Sequence, residues 1–487
     1  MKKALTGKIL VIGCGGVSQC LLPMLIKHLD MPCENITIMD MVDNRHRIED
    51  VLKSGIHYVI DKITQDNMAQ KLSEYIGNGD IIIDLAWNID CCEILTWCHE
   101  NIVRYINTSI ELWNPYEDAE TTNPIDRTLY VRHMKIREMI SNWKNNKGAT
   151  AVLEHGANPG LVSHFTKDAL ETMAIEVVNN KPPDARTIEI EKALSLKQFN
   201  KLSQLLDVKV IHISERDTQI TNKPKKVNEF VNTWSVEGFY EEGIAPAELG
   251  WGTHERTLPI NAHVHNYGPC NQICIAQMGI KTKVRSCIPS GEIVGMVIRH
   301  GEAFTISDYL TVWDGYKPVY RPTVHYAYCP SDSAILSLHE LEMRQFKIQD
   351  SIRILEDDII SGDDELGVLL MGHDFESWWT GSKLNINETR QLVPNQNATT
   401  LQVAASVLGA LFWMIDNPNE GINVPDDLPH KEILKVAKPY LGEYISKPID
   451  WNPLMNRQDL KLYSSFNNNI INYNVKDKWQ FTTFQIS

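Results

Sequence analysis

No two cysteines in this chain form a CxxC pair. The ten cysteines are scattered, and the closest two, Cys91 and Cys92, are adjacent, which is not a zinc spacing. Such usage reads as reduced thiols in a reducing compartment, so the expected location is the cytoplasm. Positive charge is also short. Against 62 Asp and Glu stand 47 Lys and Arg, a net charge of −15. With no block of Lys or Arg to reverse this locally, a nucleic acid partner is not expected. A negative field favours a cationic small molecule instead. No apolar run reaches the roughly 20 residues that span a bilayer. The longest, residues 401–415, carries Gln402 and Ser406 and reads as a buried helix, so no membrane partner is expected. Met1-Lys2-Lys3 resembles the start of a signal peptide, but Lys8 interrupts the apolar run. A glycine turn then follows in place of a cleavage site. Internal repeats and low-complexity tracts are lacking.

What remains is an ordinary globular composition, 43% hydrophobic and 22% charged, in 487 residues. That length exceeds one compact core and predicts two or three domains. Residues 8–12 form a β-rich run, followed by Gly13-Cys14-Gly15-Gly16-Val17-Ser18 and then a helical pattern over 18–28. Further strands are predicted at 35–39, 57–60, 80–85, 104–110 and 150–153, with a helix at 66–76. Alternation of strand and helix predicts a doubly wound, parallel Rossmann sheet. Gly13 allows a tight turn, Gly15 lets the backbone approach a pyrophosphate, and the helix that follows directs N–H groups at it. Ser18 stands where the usual pattern has a third glycine. Asp40 closes the second strand, where a carboxylate accepts from both ribose hydroxyls and repels a 2′-phosphate, favouring NAD over NADP. Arg45 and Arg47 lie nearby and weigh the other way.

After residue 185 the pattern changes to strand-like runs at 208–214, 273–278, 295–298 and 323–328, with sparse helix signals. These predict a second, α+β domain with a mainly antiparallel sheet. The expected division is residues 1–155 for the NAD-binding Rossmann domain and 156–390 for a substrate and dimerisation domain. Residues 391–487 are expected to form a helical segment packing back on the first domain, with helices at 401–415 and 431–444 and a docked tail at 467–487.

Several stretches resemble the bacterial homospermidine synthases, a branch of the saccharopine-dehydrogenase-like oxidoreductases. They are Asp84-Leu85-Ala86-Trp87-Asn88-Ile89-Asp90, Asn107-Thr108-Ser109-Ile110-Glu111-Leu112-Trp113 and His155-Gly156-Ala157-Asn158-Pro159-Gly160. Further on come Asn232-Thr233-Trp234-Ser235, Gly250-Trp251-Gly252 and Arg299-His300-Gly301-Glu302. Their order and spacing cover nearly the whole chain. The resemblance implies a homodimeric enzyme that joins two putrescines, or spermidine and putrescine, through an imine. Ammonia or 1,3-diaminopropane is released, and NAD(H) is recycled as a bound group. The expected cofactor contacts are Gly13, Gly15, Gly16, Val17, Ser18, Asp40, Leu85, Ala86, Thr108, Ala157 and Asn158.

A diamine at neutral pH is a dication, so its site needs carboxylates, an aromatic face and a base. Glu215, after the predicted strand 208–214, matches a family carboxylate implicated in amine binding; Asp217 is its neighbour and competitor. Trp234 matches the family's active-site tryptophan, whose ring holds an iminium by cation–π attraction. Glu242 matches a second carboxylate, with Glu241 one register away. His300 has a side chain suited to proton transfer near neutral pH. Asn158 orients the amine or the nicotinamide amide, or merely opens the next helix. Glu111, at the carboxyl end of a strand, is placed to anchor the distal ammonium, and Asp90 is a lesser candidate of that kind. His263-Val264-His265 puts two rings on one face of a strand, with His254 close in sequence, but no third ligand is convincingly placed and no metal is expected. Two other readings stand. A saccharopine-type dehydrogenase would consume its cofactor and need Arg or Lys clamps for carboxylates. A regulatory protein would sense NAD(H) without turnover.

Overall fold

Ile81, Ile82 and Ile83 follow one another, and none is exposed. A strand apolar on both faces requires cover on both, as in an all-parallel sheet. The computed structural model describes residues 2–115, 117, 121–143, 146–456, 476 and 478–486. In it, strands β1 (Ile9–Ile12), β2 (Ile36–Asp40), β3 (His57–Ile60), β4 (Ile81–Asp84), β5 (Arg104–Asn107) and β6 (Gly148–Val152) form such a sheet. Their order is β3-β2-β1-β4-β5-β6 and every pairing is parallel. The order reverses between β1 and β4, and ligands of open α/β sheets bind in that crevice at the carboxyl ends. Helix α1 (Gly16–His28) leaves β1 there, and α2 (Cys91–Asn101) and α3 (Leu129–Asn142) follow β4 and β5. Strand β5 is shorter than the predicted 104–110. Beyond Asn107 the chain turns out of the sheet, which carries Glu111 to the crevice.

Helix α4 (Leu161–Asn180) leads to a second sheet with β7 (Val210–Asp217), β8 (Pro246–Gly250), β9 (Ala262–Val264) and β10 (Gln272–Met278). It continues with β11 (Lys283–Ile288), β12 (Gly291–Met296), β13 (Thr323–Cys329), β14 (Asp363–His373) and β15 (Glu376–Asn385). Its pairings among the described residues are antiparallel except that of β7 with β13. Strand alternation sets the faces. Val210, Ala327 and Leu369 pack on one side. Ile211, Ile213, Tyr326, Tyr328 and Leu366 pack on the other, in one core with α1 and α4. Glu215 shares that second face.

Helices are commoner after residue 185 than the sequence signals suggest: Ala185–Ser195, Phe199–Leu206 and Asp332–Met343 are three. The first buries only Thr187, Ile190 and Ala193, a stripe too thin to register as amphipathic. Its capping box, Asp184 with Thr187, was the available signal. Two short helices border the cleft between the sheets, α5 (Val236–Ile244) and α6 (Glu302–Tyr309). The long apolar helix α7 (Ala398–Asp416) fills the space behind it, mostly buried against α1 and both sheets. The C-terminal segment then divides. Strand β16 (Glu420–Asn423) pairs with β6, whereas β17 (Glu443–Ile449) pairs with β15. Residues 478–486 lie beside the second sheet; residues 467–475, 477 and 487 of the expected tail lie outside the described residues.

Candidate active site

The glycine turn after β1 has the features of a pyrophosphate cradle. Gly13 has φ +89°, and a Cβ there would meet the Leu85 carbonyl at 2.8 Å. A Cβ on Gly15 would meet nothing within 4 Å, so open ground faces the amino end of α1. That end has no side-chain cap and no acidic residue in its first turn, which leaves its N–H groups for an anion. Ser18 is buried, and its hydroxyl donates to the Gly13 carbonyl at 2.6 Å and ties the turn. Gly16 serves close packing, because its missing Cβ would lie 3.2 Å from Thr400. Asp40 accepts from the Cys14 and Val42 N–H groups at 2.6 and 2.7 Å. A carboxylate has about four acceptor positions, so a ribose diol still finds two. The adjoining Cys14 thiol is pushed up to about 12 by burial and then by Asp40, which keeps it inert. Gly13, Gly15, Asp40, Leu85 and Ala86 line a cavity of about 650 Å³. These residues fit an NAD molecule.

A second cavity, of about 260 Å³, shares Leu85, Ala86 and Trp87 with the first. Val17, Thr108, Ala157 and Asn158 line it, as do Glu111, Glu215, Trp234, Glu242 and His300. The chain therefore brings together residues from seven separate stretches. Asp90 is not among them. It caps α2, accepting from the Cys92 and Glu93 N–H groups at 3.0 and 3.1 Å. Such a cap contributes about 1 kcal/mol. Of the three histidines near the HxH stretch, His265 stacks on Tyr130 and His254 meets the Trp479 carbonyl.

Glu215 lies within β7, not after it, opposite Tyr328 on one side and Leu366 on the other. The strand continues because its alternate residues still face a packed layer. Tyr326 donates its hydroxyl to Glu215, and Asn158 donates its amide at 3.2 Å. Burial nevertheless pushes this carboxyl up. Asn158 belongs to a compact loop closed by the Gly156 N–H on the Pro159 carbonyl at 2.7 Å, and the Asn158–Pro159 bond is cis.

Trp234 precedes the Ser235 cap of α5 and donates its indole N–H to Tyr328 at 2.9 Å. Gly238, Glu241 and Glu242 share one helical face. Gly238 lies against the Trp234 ring, whose nearest atom would be in ordinary contact, 3.4 Å, with a Cβ there. Glu241 and Glu242 then separate in role. Glu241 is buried and bound by Arg299, by Arg132 at 3.3 Å and by the Trp87 indole at 3.1 Å. Burial raises its pKa, but Arg299 and Arg132 outweigh that and hold it low. Glu242 is partly exposed and meets His300 Nε2 at 3.0 Å. Glu111 accepts from Ser109 at 2.8 Å, and its other oxygen is buried without a partner. Burial first, and then Glu241, pushes it up to about 7.

Sequence reasoning missed Arg132, Glu154, Tyr326 and Glu302. Glu154 follows β6 with φ +51°, a left-handed conformation that costs of order 1 kcal/mol or more, and it holds His133 at 2.9 Å. A charged residue straight after an apolar strand was its only signal. Tyr326 was legible only as one of an alternating strand pair. Counting Glu154, five carboxylates line the cavity, and its two arginines are both committed to Glu241.

Comparisons with known proteins agree along the whole chain. Residues 9–152 match the Saccharopine dehydrogenase NADP binding domain, and 156–449 match the Saccharopine dehydrogenase C-terminal domain. The homospermidine synthase of Blastochloris viridis is 38% identical over 98% of this chain and 96% of its own. That of Mesorhizobium japonicum is 39% identical over 94% and 93%. The crystal structure of the Legionella pneumophila homospermidine synthase in complex with NAD superposes with a TM-score of 0.86 at 35% identity. It covers 100% of this chain and 99% of that one. Saccharopine dehydrogenase of Saccharomyces cerevisiae, at 12% identity and a TM-score of 0.50, shares the fold.

Proposed function

The chain belongs to the homospermidine synthases, and from that premise we propose how its cleft works on putrescine. It is an NAD-dependent homospermidine synthase. When bound, NAD supplies a reversible two-electron acceptor, held by the glycine turn and Asp40. The observation that carries the substrate reading is the acidic cavity continuous with the dinucleotide cavity. A dication suits Glu111, Glu215 and Glu242, and the arginines that a carboxylate substrate would need are already engaged by Glu241. Glu111 anchors the distal ammonium, and Glu215 with Asn158 holds the reacting end. Trp234 offers its face to the iminium. Glu242 takes the proton that must leave an ammonium before it can react, and His300 supplies one to the departing amine. A homodimer in the cytoplasm, with residues 1–155 as the nucleotide domain, completes this reading; all ten cysteines are free thiols, in keeping with that compartment.

Incubation with NAD and putrescine alone tests it. Homospermidine and ammonium without net NADH are expected. Net NADH without homospermidine would sink the reading in favour of a simple dehydrogenase.

Two further results follow. Asp40→Ala should weaken NAD binding roughly 10- to 100-fold, since charge-assisted hydrogen bonds each contribute about 1.5–3 kcal/mol. NADH fluorescence titration reads this, and unchanged affinity refutes the ribose role. The second concerns pH. A bound ammonium favours the ionised form of Glu111, so binding releases a proton wherever the free group is protonated. Affinity for putrescine should therefore fall as pH drops through about 7, by at most roughly tenfold per pH unit. Glu111→Gln should flatten that dependence in calorimetric titrations.

A further inference from the structure

Glu302 opens α6 beneath the cleft and has no exposed surface. Neither of its carboxylate oxygens has a hydrogen-bond donor in good geometry. A buried carboxylate so placed is costly unless a charge offsets it or it takes up a proton. The group that faces it is the His300 ring, with Nδ1 at 3.3 Å. The other ring nitrogen, Nε2, meets Glu242 at 3.0 Å on the cavity side. Gly301 stands between the two residues because the Glu154 carboxylate occupies its side-chain space, 2.1 Å from where a Cβ would be. His300 thus lies in a line from the cleft inward: Glu242, His300, Glu302, with Glu154 and its partner His133 beside the last.

We propose that Glu302 is a positioning residue for His300: its carboxylate fixes the ring and shares its charge, so that Nε2–H points at Glu242 and the cleft. The proposal rests on the amine-transfer reading above and adds a source for the proton that this reaction must return. As the C–N bond to the departing amine breaks, its electron pair stays on nitrogen, which takes the Nε2 proton. The imidazole then recovers a proton from Glu242, which has taken one from the attacking amine. Protons balance within the site, and no further reactant is required.

The surroundings agree. Burial alone would deprotonate His300, but Glu302 and then Glu242 more than reverse it. From the sheet, Glu215 adds to the negative field and Tyr326 packs its ring 4.4 Å away. From beyond β6, Glu154 adds a further carboxylate, partnered by His133. The cations Arg299 and Arg132 are turned to Glu241.

Glu302→Gln keeps the shape and removes the charge. Turnover should fall roughly 10- to 100-fold above neutral pH and recover on acidification. The alkaline limb of the kcat profile should move down by about one pH unit or more. KM for putrescine and NADH affinity should stay near wild type. A loss uniform across pH would overturn the proposal and leave Glu302 a structural residue; so would wild-type turnover. If the variant does not fold, NMR of ¹⁵N-labelled histidines in the wild-type protein decides, with His300 assigned through His300→Asn. An imidazolium that persists well above neutral pH supports the proposal, and a ring neutral at pH 7 overturns it. Failure of wild-type protein to make homospermidine would strike the substrate reading alone, since the NMR titration is independent of it.

Discussion

Trp234→Ala lowers kcat by about 30-fold or more while leaving the protein folded and able to bind NADH. Cation–π attraction in a desolvated site reaches about 2 kcal/mol or more, and each 1.36 kcal/mol is about tenfold in rate. Only the part that is stronger for the iminium than for the bound ammonium counts. Trp234→Phe, which retains an aromatic face, should stay within about tenfold of wild type. Both variants lose the indole N–H bond to Tyr328, so that loss cancels between them and the difference isolates the π face. Steady-state kinetics on putrescine reads the effect. Equal activity in the two variants would remove the cation–π role and leave Trp234 as a wall of the cavity.

Adjacent glutamates should then fail in opposite ways. Glu241→Ala removes the common carboxylate of Arg132 and Arg299, both almost fully buried. Breaking a buried pair from one side costs about 3–5 kcal/mol, because the remaining charge stays in low dielectric. The expected result is a large drop in melting midpoint or in soluble yield. Glu242→Gln changes a partly exposed group at the cavity wall. It should leave the midpoint nearly unchanged and cut kcat by roughly 100-fold or more, in the range for a proton-transfer group. Thermal unfolding and kinetics on the same two proteins separate the outcomes. A stability loss in Glu242→Gln with none in Glu241→Ala would reverse their assigned roles.

That contrast marks the limit of sequence reading here. Tyr240-Glu241-Glu242-Gly243 presents two identical side chains, and local pattern carries no information about which of them meets an arginine. The difference is made by Arg132 and Arg299, far away in the chain. Asp90 teaches the same lesson: in the loop after β4 it reads as a ligand group, yet two local N–H groups claim it as a helix cap. Glu302 was hidden in the other direction. It sits in Arg299-His300-Gly301-Glu302, but its relation to His300 depends on the turn into α6, which brings a residue two positions on back under the ring.

The nucleotide half lies at the legible end. A run such as Ile81-Ile82-Ile83, a glycine turn between a strand and a helix, and Asp40 at the end of the next strand are local features with local causes. Apolar period, glycine freedom and the orphan N–H groups of a helix start all act within a few residues. By itself, then, the sequence determined the parallel sheet, its glycine turn, the acidic character suited to a cation and the family resemblance. The tertiary structure alone decided which carboxylates are bare, which are neutralised and which are pushed up in pKa. Those properties depend on burial and on charges brought within a few ångströms by distant segments, and neither is encoded in any single stretch of chain.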